Sequence, residues 1–172
     1  MTAKPDPRLL WFCGGVSARF DLSTPWVADG FWYATDGAIL VRKPTRLADL
    51  GRVRRPWAAV IFDQFGPIDW RDAIPFPVRA RGTTKVDCPV CKDGTTKQCH
   101  VCRGTGRVWD RINIQGLWIV GRYWTLIRRL GDKVVCTRAF EPTDEASRDM
   151  LAFKCGTITG IVNKLALRET LK

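Results

Sequence analysis

The chain reads as an α+β protein, mostly antiparallel strands with one or two helices, into which a small cysteine-rich module is inserted. Three observations predict this. Short apolar runs separated by turn residues fill most of the chain. One stretch, 121–131, has helical spacing instead. Four of the seven cysteines fall between positions 88 and 102. A length of 172 residues suits one domain with a small insertion. Contents of 45% hydrophobic and 26% charged residues are those of an ordinary globular protein, which excludes disordered, collagen-like and coiled-coil classes.

The elements follow in order. Phe31-Trp32-Tyr33-Ala34 runs to a turn at Thr35-Asp36-Gly37, and Ala38-Ile39-Leu40-Val41-Arg42 follows, a hairpin signal because Asp-Gly suits the turn. Positions 57–65 are apolar and β-like, and Pro67, Pro75 and Pro77 mark a loop leading to the cysteines. Beyond them, 108–114 alternates well enough for a strand, Gly116 makes a turn, and 117–120 is apolar. In the helical stretch Tyr123, Leu126, Ile127 and Leu130 share a face, while Gly131 suits the end of the helix. Strands are expected at 133–140, 150–155 and 157–162, with an acidic loop at 141–149.

The cysteine segment has the pattern C-x2-C-x7-C-x2-C-x-G-x-G, formed by Cys88, Cys91, Cys99 and Cys102. Two residues between cysteines let a tight turn aim both sulfurs at one ion, and two such knuckles supply a tetrahedral set. The expectation is one structural Zn2+ with no open position for a water. A redox C-x2-C pair is the alternative. Gly94, Gly104 and Gly106 fall where knuckle turns need positive φ or close backbone approach. Val86 and Val108 flank the unit and suggest a short β-ribbon. His100, the one histidine, is expected to be exposed rather than a ligand. Loading the site would leave the chain near +9, down from a formal +11. Cys13, Cys136 and Cys155 lie apart in apolar surroundings and read as core residues.

Cys99-His100-Val101-Cys102-Arg103-Gly104-Thr105-Gly106 resembles the CxxCxGxG repeat of the DnaJ-type chaperone cysteine-rich domain. That family strings four repeats into two zinc sites; this chain has material for one and has no His-Pro-Asp tripeptide. A second resemblance covers the flanks: Tyr33-Ala34-Thr35-Asp36-Gly37-Ala38-Ile39-Leu40-Val41 looks like a hairpin of bacterial replicative sliding clamps. The second half is similar to a clamp domain in its order of strand, short helix ending in Arg-Arg-Leu, and strands. Small phage-encoded proteins pair such a hairpin with inserted CxxC knuckles. These resemblances imply one clamp-like α+β domain, 1–84 and 109–172, carrying the module at 85–108.

The charge points to a partner. With 28 Lys and Arg against 17 Asp and Glu, the chain attracts polyanions, of which nucleic acid is the commonest. Arg42, Lys43, Arg46, Arg52, Arg54 and Arg55 would contact phosphates, helped by Lys92, Lys97, Arg103 and Arg107 on the knuckles. Trp57 is a candidate to stack on a base, whereas most of the eight tryptophans are expected in the core. The rival readings are a protein-interaction adaptor that engages a host or replication protein, and a chaperone-like peptide binder. No second histidine, phosphate loop or dinucleotide fingerprint is present, and Asp63, Asp69 and Asp72 read as solvated turn residues, so no enzyme is expected. No apolar run reaches the roughly 20 residues of a membrane span, and the first residues are too short in apolar character for a secretory leader. A cytoplasmic protein is expected.

Overall fold

The hairpin around Asp36 shows how sequence becomes sheet. Strands β2 (Phe31–Thr35) and β3 (Ile39–Pro44) pair antiparallel with Thr35 opposite Leu40. In the turn the Asp36 carboxylate accepts the backbone N–H groups of Ala38 (3.1 Å) and Ile39 (3.2 Å). Gly37 has φ +98°, a region closed to most side chains. The Thr35 hydroxyl donates to the Ile39 carbonyl (2.6 Å), so the turn polar groups are satisfied internally. Strand β1 (Trp26–Ala28) joins β2 through Asp29-Gly30, both with positive φ, the conformation a two-residue hairpin requires.

The computed structural model describes residues 4–15, 21–46, 62, 67–78, 85–88, 91, 99, 102, 104–140 and 149–163. Its further strands are β4 (Ile74–Pro75), β5 (Lys85–Asp87), β6 (Arg107–Trp109), β7 (Arg111–Ile114), β8 (Leu117–Val120), β9 (Val135–Phe140), β10 (Asp149–Cys155) and β11 (Ile158–Asn163). Helix α1 spans Gly121–Arg128, and a 3-10 turn spans Pro7–Phe12. Seven strands form one sheet in the order β1-β2-β3-β11-β10-β9-β4, every neighbouring pair antiparallel. The β3–β11 pairing joins the two ends of the chain. The architecture is α+β, strand-rich with few helical elements.

Both faces of the sheet are covered. On one face Ile39, Val41, Leu151, Phe153, Ile158 and Val162 pack with Leu9 and Phe12 of the 3-10 turn, Ile112, Ile114, Leu117 and Ile119 of β7–β8, and Tyr123 and Ile127 of α1. On the other, Tyr33, Leu40, Ala152 and Ile161 pack with Phe62. This explains why β3 and β10 read as continuous apolar runs: consecutive residues point to opposite faces, and both faces are dry. Each fully buried Leu, Ile or Phe contributes about 1.5–3 kcal/mol. Cys136 is wholly buried, while Cys13 and Cys155 pack against the same core, as expected for unreactive thiols. Burial pushes the Cys136 thiol up to about 11.

Several expectations are corrected. The run 108–114 is not one strand: it divides at Asp110, with β6 pairing to β5 and β7 to β8 in separate two-stranded sheets. Period-two alternation cannot show such a change of partner. The proline-marked loop holds β4, tolerated because it is an edge strand where Pro75 need not donate on its outer side. Helix α1 stops at Arg128, three residues short of the expected end, and Leu126 is only partly buried. Within 57–65 the one described residue, Phe62, has helical rather than extended backbone, since a short apolar run does not distinguish the two. Of the seven described tryptophans none is fully buried: Trp11 and Trp118 are exposed, Trp109 is partly buried, and Trp26, Trp32, Trp70 and Trp124 are partly buried and pack against the core clusters. An indole with a polar N–H suits such a boundary; that of Trp124 donates to the Pro77 carbonyl (3.2 Å).

One ion-pair cluster ties the 3-10 turn to the sheet. The Asp6 carboxylate accepts hydrogen bonds from the Arg8 backbone N–H (3.0 Å) and guanidinium (2.8 Å), and from Lys43 on β3 (2.8 Å). The Arg8 guanidinium, helped by Lys43 and opposed by burial, holds the Asp6 carboxyl well below the usual carboxylate range. A depressed carboxyl contributes stability above its unfolded pKa, near 3.9, and loses it as pH falls through the folded value. Asp6→Asn is therefore expected to cost about 1–3 kcal/mol at neutral pH. The cost should shrink steadily below about pH 4. Urea unfolding of both proteins across that range checks this; a pH-independent difference would contradict it.

Candidate metal centre

The cysteine module is built on the expected ribbon. Strands β5 and β6 pair with Val86 opposite Val108, and the Cys88 N–H donates to the Gly106 carbonyl (2.7 Å), extending the ladder to the first ligand. Val108 packs against the four cysteines. Gly104 (φ +81°) and Gly106 (φ +69°) adopt the left-handed backbone that the pattern required of them. Between them Thr105 secures the second knuckle: its N–H and hydroxyl both donate to the Cys102 carbonyl, the hydroxyl at 2.7 Å. Nothing in the sequence marked this threonine, because any small polar residue fits the glycine-spaced motif. Gly94 and His100 lie outside the described residues.

The four sulfurs converge. All lie within 4.8 Å of one another, with Cys88 Sγ 3.8 Å from Cys99 Sγ and Cys91 Sγ 3.4 Å from Cys102 Sγ. Each cysteine is at most 8% exposed. These separations exceed by far the ~2.05 Å of a disulfide, and the four thiols are free. Burial opposes ionisation of Cys102. The Cys91 thiol and the N–H groups of Gly106 and Gly104 outweigh it, lowering that thiol to about 6. Cys91, hydrogen-bonded to the Cys102 sulfur and buried, is pushed up to about 12. Sulfurs this close resist ionising together, and a cation held among them removes the conflict. The site can hold one metal ion.

The other expected site residues are dispersed. Arg42 and Lys43 are neighbours on β3 and so face opposite sides of the sheet. The Arg42 guanidinium sits over the rings of Phe31 (4.7 Å) and Phe62 (4.1 Å), and Lys43 pairs with Asp6. Both of these side chains have a contact within the fold. Arg46 is exposed beyond the end of β3, and Arg107 is exposed on β6, 3.9 Å from Asp87. Arg52, Arg54, Arg55, Trp57, Lys92, Lys97 and Arg103 lie outside the described residues, as does Asp63. Asp69 is bound to Arg71 in an exposed turn and Asp72 is exposed, as expected of turn residues. Among the described residues no helix is long and apolar enough to cross a membrane.

No protein-family model, curated protein or solved structure matches the chain.

Proposed function

We propose that this is a non-enzymatic protein in which Zn2+ held by Cys88, Cys91, Cys99 and Cys102 builds a ribbon that helps bind nucleic acid. The observation that supports the metal is the convergence of four buried sulfurs. Ligands about 2.3 Å from a tetrahedral zinc lie about 3.8 Å apart. The 3.8 Å Cys88–Cys99 pair matches this, and the 3.4 Å Cys91–Cys102 pair needs only a small opening. An all-thiolate set suits zinc rather than a hard cation such as Mg2+, and four protein ligands leave no place for a reacting water. The role of the ion is then structural.

The nucleic-acid reading is supported by the net charge, which stays strongly positive after the metal is loaded. Among the described residues the exposed large apolar side chains are spread over different elements: Leu10 and Trp11 in the 3-10 turn, Ile74 on β4, Val78 beyond it, Val86 on β5 and Trp118 on β8. That distribution does not favour the adaptor reading. Binding of the metal-loaded protein to labelled DNA and RNA across a salt series tests the proposal. Four to six phosphate contacts give a log–log slope of about −3 to −5. Absence of binding at low salt would contradict it.

A further inference from the structure

The metal ribbon has a second face. Residues alternate along a strand, so Val86 and Val108 face one way, Val108 against the cysteines, while Lys85 and its partner Trp109 face the other. Between that second face and helix α1 lies an open groove of about 380 Å³, lined by Lys85, Trp109, Arg122, Thr125, Leu126 and Arg129. Three of the six are cations, and none is a carboxylate among the described residues. Lys85 Nζ stands 5.9 Å from the centre of the Trp109 ring. Arg122 also reaches the Asp36 carboxylate at 3.5 Å, which fixes it at the edge of the groove.

We propose that this groove binds one nucleotide unit of a single-stranded nucleic acid, its base stacked on Trp109 beside Leu126 and its phosphates held by Lys85, Arg122 and Arg129. The inference rests on the nucleic-acid reading above and names its site. A partly buried indole next to cations matches the stacking platform with charged rim by which proteins hold unpaired bases. The volume is at the lower end for a small-molecule site, a size that suits one nucleotide. Paired bases are stacked on each other and cannot offer a face to Trp109. Thr125 adds a hydroxyl within the same wall, although it donates to the Gly121 carbonyl (3.2 Å) and remains available chiefly as an acceptor.

The test is binding of the metal-loaded protein to labelled oligothymidylate and to duplex DNA, for wild type, Trp109→Ala, Trp109→Phe and Arg129→Glu. Loss of the stacking ring in Trp109→Ala should weaken oligothymidylate binding about five- to a hundredfold with the salt slope unchanged. Trp109→Phe should keep most of the affinity. Arg129→Glu should reduce the slope by about one. Wild-type affinity and slope in Trp109→Ala and Arg129→Glu would overturn the groove and leave the nucleic-acid reading standing. Tighter binding of duplex than of oligothymidylate would also overturn it. If the wild type binds neither probe at low salt, both readings fail. Should Trp109→Ala lose its metal, Trp109→Phe and Arg129→Glu decide, because both keep the ribbon packed; an unchanged slope in Arg129→Glu then overturns the proposal.

Discussion

Replacing Cys88 or Cys102 by serine is expected to lower metal affinity by more than about 100-fold, because losing merely an outer hydrogen-bond partner of a ligand costs about 10- to 100-fold. The apolar content of the module is small. Among the described residues, beyond the cysteines themselves, only Val108 packs against the cluster. A module of that size has no core to hold it without the ion. The large sheet has its own core and shares no strand pairing with β5–β6. Metal loss should therefore release the ribbon and leave most of the strand signal in place. Metal content by mass spectrometry, read beside circular dichroism, checks this. A Cys102→Ser protein with one bound metal per chain and wild-type stability would contradict the structural role.

The second large effect is expected at Gly160, from a single methyl group. Gly160 lies opposite Phe153 across β10–β11, and Phe153 is fully buried in the main core, stacked on Phe12 with ring centres 6.2 Å apart. A Cβ at position 160 would stand 2.6 Å from Cε1 of the Phe153 ring, well inside van der Waals contact. The ring is enclosed and cannot swing away without disturbing the residues around it. Gly160→Ala is expected to cost about 1–3 kcal/mol, and Gly160→Val more. At this chain length each kcal/mol lowers Tm by about 2–4 °C. Phe153→Leu makes room beside position 160, so the double variant Gly160→Ala with Phe153→Leu should be more stable than the sum of the single effects allows. Strict additivity in that cycle would show that the ring and the glycine do not share space.

These two sites show what was legible in the sequence. The cysteine quartet was readable because metal geometry is written in spacing: two residues between ligands, and glycines where the backbone must turn left-handed. The hairpin at Asp36 was readable because Asp-Gly specifies its own turn. Gly160 carried no such mark; its need for a missing side chain comes from a phenylalanine on the neighbouring strand. The split of 108–114 was hidden for a related reason, since alternation reports facing but not which strand is the partner. At the start of the basic stretch, Arg42 and Lys43 show a limit of reading charge from adjacency. Charges adjacent in sequence looked like one surface, yet on a strand Arg42 and Lys43 point apart, and each has a partner within the fold. The groove cations Lys85, Arg122 and Arg129 are brought together by the ribbon and α1 from separate parts of the chain, so composition alone could not single them out.

The polar contacts between elements were equally out of reach. The Tyr123 hydroxyl donates to the Asp36 carboxylate at 3.0 Å, joining α1 to the β2–β3 hairpin across 87 residues of sequence. Burial, reinforced by proximity to that carboxylate, raises the tyrosine above its ordinary range. A helical face could be read from the spacing of Tyr123, Ile127 and Leu130, but not which turn it would meet.

The most direct measurement is the affinity of metal-loaded and metal-depleted protein for the same labelled oligothymidylate at low salt. If zinc builds the ribbon that carries Lys85 and Trp109, depletion should weaken binding about tenfold or more, and restoring zinc should recover it. Equal affinity with and without metal would contradict the link between the centre and the nucleic-acid face.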